Sequence, residues 1–240
     1  MATKSPVSPR GKSFAFAIIT VVLAAFSIQT LSSASYAAPV ATETSSYTSF
    51  FQDRNPELLG SGWNACANEI TWSVDTSALS SKVSQREVAR LATAFEQWSN
   101  ASGLSFRYLG NHAMQYDSAT HHLQAETMPA SGHIAVSFLP AEASPLLASN
   151  VYGFGMPTFV MDSTNQIIGG VMVLKKEVVS KKSKTDPKAL DNLYLHELGH
   201  VLGLGHVDDS SQVMYPTIFR TSQLGVGDKN GITAFSQRCQ

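Results

Sequence analysis

Residues 196–216 read HELGHVLGLGHVDDSSQVMYP, and the reading of this stretch decides the fold and the chemistry expected of the chain. His196 and His200 are four residues apart, so on a helix their imidazoles lie on one face, one turn above the other. A pair of nitrogens presented in this way suits zinc, which takes imidazole ligands at about 2.0–2.1 Å in tetrahedral geometry. Glu197 follows the first ligand but is rotated off the ligand line, where a carboxylate can hold a metal-bound water and take its proton. The helix cannot supply a third ligand from the same face without overshooting the ion. Gly203 answers this, because glycine tolerates φ > 0 and lets the chain turn sharply. His206, three residues on, can then swing back to the metal. Three protein ligands leave a fourth position open, which is the arrangement of a catalytic zinc site rather than a structural one.

A bare H-E-x-x-H arises by chance on amphipathic helices. The extended string H-E-x-x-H-x-x-G-x-x-H, followed by a methionine turn, is far more specific and marks the metzincin metalloproteases. Here Met214 follows His206 by eight residues, inside Val213-Met214-Tyr215-Pro216. On these residues the chain resembles the matrixin branch of the metzincins, which shows this short spacing to Met-Tyr-Pro. The resemblance implies a secreted zinc-dependent endopeptidase with an α+β, metzincin-like catalytic domain: a twisted mixed sheet, two long helices and a closing C-terminal helix. It implies one catalytic Zn2+ on His196, His200 and His206, and peptide-bond hydrolysis through a zinc-bound water activated by Glu197. Met214 is then an apolar floor beneath the ligands, a packing residue and not a ligand. Pro216, Thr217 and Ile218 are the expected wall of the pocket for the side chain just after the cleaved bond.

Some family features do not carry over. Val207 stands where matrixins often have serine, and Ile218 where animal members commonly have tyrosine. Matrixins often bind Ca2+, and Asp162 is a candidate to touch such an ion, but no calcium loop can be read. Animal members stay latent through an unpaired cysteine in a pro-domain. Asn64-Ala65-Cys66-Ala67 is not that motif, and the preceding segment is too short for that pro-domain. Control would then rest on export itself or on a proteinaceous inhibitor. Two other classes share some of these features. A zinc amidase cutting cell-wall peptide cross-links would have the same metal site, whereas a non-catalytic binding module would be expected to have lost Glu197 or a ligand.

The N-terminus reads as an address. Lys4, Arg10 and Lys12 form a basic leader without an acid, and residues 14–26 read FAFAIITVVLAAF, uncharged and short for a membrane span. Ser35-Tyr36-Ala37 offers small residues at the places a signal peptidase needs, so residues 1–37 are expected to be a signal peptide cut after Ala37. The protein is then secreted, into the periplasm or cell wall if the host is bacterial, with no lasting membrane association. Cleavage removes three positive charges and no negative ones, taking the formal charge from −1 to −4. That mild acidity gives no reason to expect a nucleic-acid partner. Residues 61–240 are of a size for one catalytic domain, expected to be a monomer that takes protein or peptide substrates. Residues 38–60 are rich in Ser, Thr and Ala and read as a leader or short pro-segment, in which Phe50-Phe51 either docks on the domain or sits at a frayed end. Cys66 and Cys239 are the two cysteines of an exported chain, which favours a disulfide closing a very long loop, worth about 5 kcal/mol in the chain-entropy description.

Along the chain, Ile70–Val74 alternates as a half-buried strand. Ser84-Gln85-Arg86-Glu87 matches a capping box ahead of an apolar face of Val88, Leu91, Ala92, Phe95 and Trp98, closed by Gly103. Residues 104–109 and 134–138 read as strands, His133 as a strand-end residue, and His112, His121 and His122 as surface histidines. Residues 139–150 read as a loop. By position the segment after it resembles the part of a matrixin that supplies the edge strand of the cleft, which implies that part of residues 151–161 pairs with an extended substrate. From the residues alone it reads equally as an ordinary buried hairpin with Ile167–Leu174. Lys175, Lys176, Lys181, Lys182 and Lys184 suggest a basic loop, after which Thr185-Asp186-Pro187 starts the active-site helix. A last helix is expected over 224–235.

Overall fold

The computed structural model describes residues 46–52, 62–63, 69–125, 129, 131–147, 150–161, 166–217 and 221–236. The expected signal peptide, the cysteines Cys66 and Cys239, Asp162 and Ile218 lie outside the described residues. The strands are β1 (Gly62–Trp63), β2 (Ile70–Asp75), β3 (Phe106–Asn111), β4 (Gln115–Asp117), β5 (His122–Gln124), β6 (His133–Leu139), β7 (Gly153–Met161) and β8 (Gln166–Lys175). The helices are α1 (Ser81–Ser102), α2 (Lys176–Thr185), α3 (Pro187–Val201) and α4 (Val226–Ser236). None of these helices is long and apolar enough to cross a membrane.

Five strands run parallel in the order β1-β8-β6-β2-β3, and β7 pairs antiparallel with β8. β4 and β5 make a separate small hairpin. Strands buried on both faces read as unbroken apolar runs, and Val171 to Leu174 of β8 is such a run, wholly buried. The mixed sheet with two longer helices and a C-terminal helix is the expected α+β architecture.

α1 buries Leu91, Ala94, Phe95 and Trp98, with the Phe95 ring stacked on Trp72 of β2 at 4.4 Å and the Trp98 indole N–H donating to the Leu195 carbonyl of α3. Gly103, at φ 73, ends the helix by donating its N–H to the Ser99 carbonyl. The expected capping box is not there. The helix begins at Ser81, and Ser84 instead donates to the Thr76 hydroxyl. Glu87, read as the capping acid, is fully buried and accepts from Ser183 at 2.6 Å and Tyr194 at 2.8 Å, which ties α1 to α2 and α3. A cap is a local pattern, and the helices packing over Glu87 overruled it.

β2 also differs from its expected half-buried state, since all six residues are buried. Its alternation is real: Ile70, Trp72 and Val74 join the main core, while Thr71, Ser73 and Asp75 form the opposite face. Protein partners meet that face. Thr71 and Ser73 hydroxyls sit 2.9 Å from Nδ1 and Nε2 of His133, and Asp75 accepts the N–H groups of Ser77 and Met114. His133 is therefore a buried tie between β2 and β6.

Burial, helped by the charge of His112, pushes the His133 pKa down from 6.5 to about 4. Between those values the unfolded chain binds a proton that the folded chain refuses. The stability is thus complete above about pH 6.5 and is lost as the pH falls toward 4, by about 3 kcal/mol from this residue. Denaturant melts at pH 7 and pH 4 should show a smaller acid loss for His133→Gln than for the parent. Equal losses would rule this out.

The lysine-rich segment expected as a loop is α2. Val179 and Ser183, one turn apart, are its buried residues, and the lysines take the other faces. One buried valine among lysines offers no apolar period to read. Residues 141–143 and 145–147 form two short 3-10 turns within the expected loop. Phe50 and Phe51 are docked and not frayed, buried in the main core.

Candidate metal centre

Pro187 opens α3 at its first turn, where its missing N–H costs nothing. Asp186 occupies the cap position but makes no side-chain cap bond. Four residues apart near the helix end, His196 and His200 place their ring centroids 4.6 Å apart. The helix stops at Val201, Gly203 adopts φ 103, and Gly203 and Leu204 donate their N–H groups back to the carbonyls of His200 and Gly199. This turn returns His206 toward the helix.

The three Nε2 atoms form a nearly equilateral triangle, with edges of 3.1, 3.1 and 3.2 Å. The protonation on the far side of two rings is dictated by their partners. His196 Nδ1 lies 2.7 Å from the Val213 carbonyl, and His200 Nδ1 lies 2.8 Å from the Leu204 carbonyl. A carbonyl only accepts, so each Nδ1 carries a proton, and in the neutral ring Nε2 is then the atom left with a lone pair. Burial lowers the His196 pKa to about 4, against the pull of the Val213 bond, so this ring is neutral near pH 7.

Lone pairs converging at such distances repel unless a cation stands among them. A tetrahedron with 2.0–2.1 Å bonds has edges of about 3.3–3.4 Å, so the triangle nearly matches a zinc ligand set. Among the described residues this trio is the one group of His, Cys, Asp or Glu close enough to hold an ion. His112, His121 and His122 do not join it.

Glu197 is buried beside the trio, and burial raises its pKa to about 8 against a hydrogen bond from the Gly155 N–H. A positive charge beside it would favour the carboxylate. Met214 is buried under α3, and a Cβ on Gly199 would stand 2.4 Å from its sulfur. The glycine inside the H-E-L-G-H string is thus the seat of the methionine turn.

The sequence reading missed Asp228 as a site residue. From the first turn of α4, its buried carboxylate accepts the N–H groups of Val213 at 2.8 Å, Met214 at 3.2 Å and Gly225 at 2.8 Å. Val213 in turn holds His196 through its carbonyl. Only the local bond to Gly225, three residues earlier, has a signal in the sequence.

A cleft of about 1080 Å³ opens over the trio. Residues 151–156, at the start of β7 and just before it, border one side, His196, Glu197, His200 and His206 lie within, and Pro216 and Thr217 lie along it. Among the described residues β7 pairs with β8 alone, so it is the edge strand of the cleft. Lys182 and Asp186 stand at the cleft as an ion pair 3.8 Å apart, with the ammonium 5.5 Å from the Tyr152 ring centroid. The family model described as matrixin matches residues 62–236, well over half of the chain. No curated protein matches the sequence.

Proposed function

The chain belongs to the matrixin family and is a zinc metalloendopeptidase; on that premise we propose that it is an exported enzyme in which His196, His200 and His206 hold the zinc and Glu197 carries the proton. The observation that supports this most directly is the triangle of Nε2 atoms at 3.1–3.2 Å beside a buried carboxyl group. When bound, zinc supplies a Lewis acid for the scissile carbonyl and makes water a stronger acid. Every other part is played by the chain.

The Val213 and Leu204 carbonyls fix two imidazoles in the tautomer that leaves Nε2 free. Glu197 accepts the proton of the attacking water and delivers it to the leaving amine nitrogen. Its bond from the Gly155 N–H keeps the carboxylate in place between the two transfers. The free edge of β7 receives the substrate as an extended strand, backbone against backbone. Pro216 and Thr217 wall the pocket beyond the scissile bond. Residues 1–37, with their basic leader and apolar run, act as the export signal and are removed.

The test is to produce the exported chain, measure its zinc content, and follow cleavage of an unstructured protein with and without a chelator. One zinc per chain and cleavage that stops on chelation and returns with added zinc are expected. Cleavage indifferent to chelation would overturn the assignment.

A further inference from the structure

His206 is the exposed member of the trio, and it sits on a turn rather than on the helix. Such a ligand needs outside support. Residues 46–50 supply it as a short extended segment lying along that turn. Ser49 bridges Leu204 in antiparallel sense, the Phe50 N–H donates to the Gly203 carbonyl at 2.8 Å, and the Gly205 N–H donates to the Thr48 carbonyl at 2.8 Å. The Thr48 hydroxyl donates to the carbonyl of His206 itself at 2.5 Å. The Phe50 ring meets the His200 ring edge-on at 5.7 Å.

These contacts reach both ligands flanking the turn. Leu204, bridged by Ser49, is the residue whose carbonyl holds His200 Nδ1. The rest of the domain is shaped to admit the segment. A Cβ on Gly205 would lie 2.5 Å from the Ser49 carbonyl oxygen, and one on Gly231 would lie 2.8 Å from Tyr47 Cβ. Phe50 and Phe51 belong to the same buried cluster as Leu204 and Met214, so removing them would open the core beside the metal centre.

We propose that residues 46–50 are a positioning strap of the working enzyme, which orients His200 and His206 through the 203–206 turn, and that any maturation of the chain cuts before Ser46. The inference rests on the zinc assignment above. Partners that orient metal ligands from behind typically change metal affinity by about 10–100-fold when lost.

Thr48→Val and Thr48→Val/Phe50→Ala, each in the full chain, test this. The readouts are zinc affinity by competition with a chromogenic chelator, thermal unfolding of the zinc-free proteins, and kcat and KM on a peptide. Thr48→Val should bind zinc about tenfold more weakly while its zinc-free melting stays close to the parent, and the double variant should bind more weakly still. The loss should fall on kcat more than on KM. A parent that holds zinc tightly beside variants that hold it equally tightly would overturn the strap alone. A drop in zinc-free stability without a change in zinc affinity would do the same, as would an active enzyme whose N-terminus, read by mass spectrometry, begins beyond Phe50. A parent without zinc would overturn the zinc assignment and the strap together.

Discussion

Glu197→Ala should lower kcat/KM on a peptide substrate by roughly 10²–10⁴-fold, the usual contribution of a positioned general base, while the protein still carries one zinc per chain. The two effects separate because Glu197 is not a member of the nitrogen triangle. Its carboxyl group is held by the Gly155 N–H and walled off from solvent. A side chain so placed has little freedom to lose when substrate binds, which is the condition for efficient proton transfer. Glu197→Gln keeps the shape and the hydrogen bond but cannot take a proton, so it should be nearly as slow as the alanine variant. Metal analysis beside steady-state kinetics decides the matter. Full activity in either variant would remove Glu197 from the mechanism, and zinc-free variants would give it a metal-holding role instead.

The second large effect is expected far from the reacting atoms. Asp228→Ala should destabilise the zinc-free protein by about 3–5 kcal/mol, because the buried N–H groups of Val213 and Met214 and the part-buried one of Gly225 lose their acceptor at once, and each buried orphan costs about 1–3 kcal/mol. The site would feel it too. Val213 would lose the bond that fixes its peptide, and Val213 is what holds the His196 ring. Burial raises the Asp228 pKa while the bonds from Val213, Gly225 and Met214 pull it down, so both the cost and the support come from its surroundings. Urea unfolding of the zinc-free parent and variant measures the loss directly. A difference below about 1 kcal/mol would mean that water or a local rearrangement replaces the carboxylate.

Glu197 and Asp228 differ sharply in how visible they are in the amino-acid string. Glu197 lies inside a motif whose spacing is its meaning: i, i+4 histidines share a helix face, and a glycine three residues later permits the turn. Such information is local, and it survives without knowledge of the rest of the molecule. Glu87 shows the limit of local reading. As a sequence it matches a capping acid, yet in the fold it is an acceptor between three helices. α2 shows the same limit from the other side, since its helix depends on Val179 and Ser183 meeting the core, and the surrounding lysines conceal that period.

By itself, then, the sequence determined the histidine trio, the order of helix, turn and methionine turn around it, and the alternating character of strands such as β2, because each depends on neighbours close along the chain. The tertiary structure decided what stands behind those residues. It set Asp228 beneath the methionine turn, His133 between two hydroxyls, β7 as the open edge of the cleft, and residues 46–50 along the turn that carries His206. Thr48 and His206 are 158 positions apart, and no periodicity reaches that far. Only the burial of a shared core, which brings Phe50, Leu204 and Met214 together, makes them neighbours.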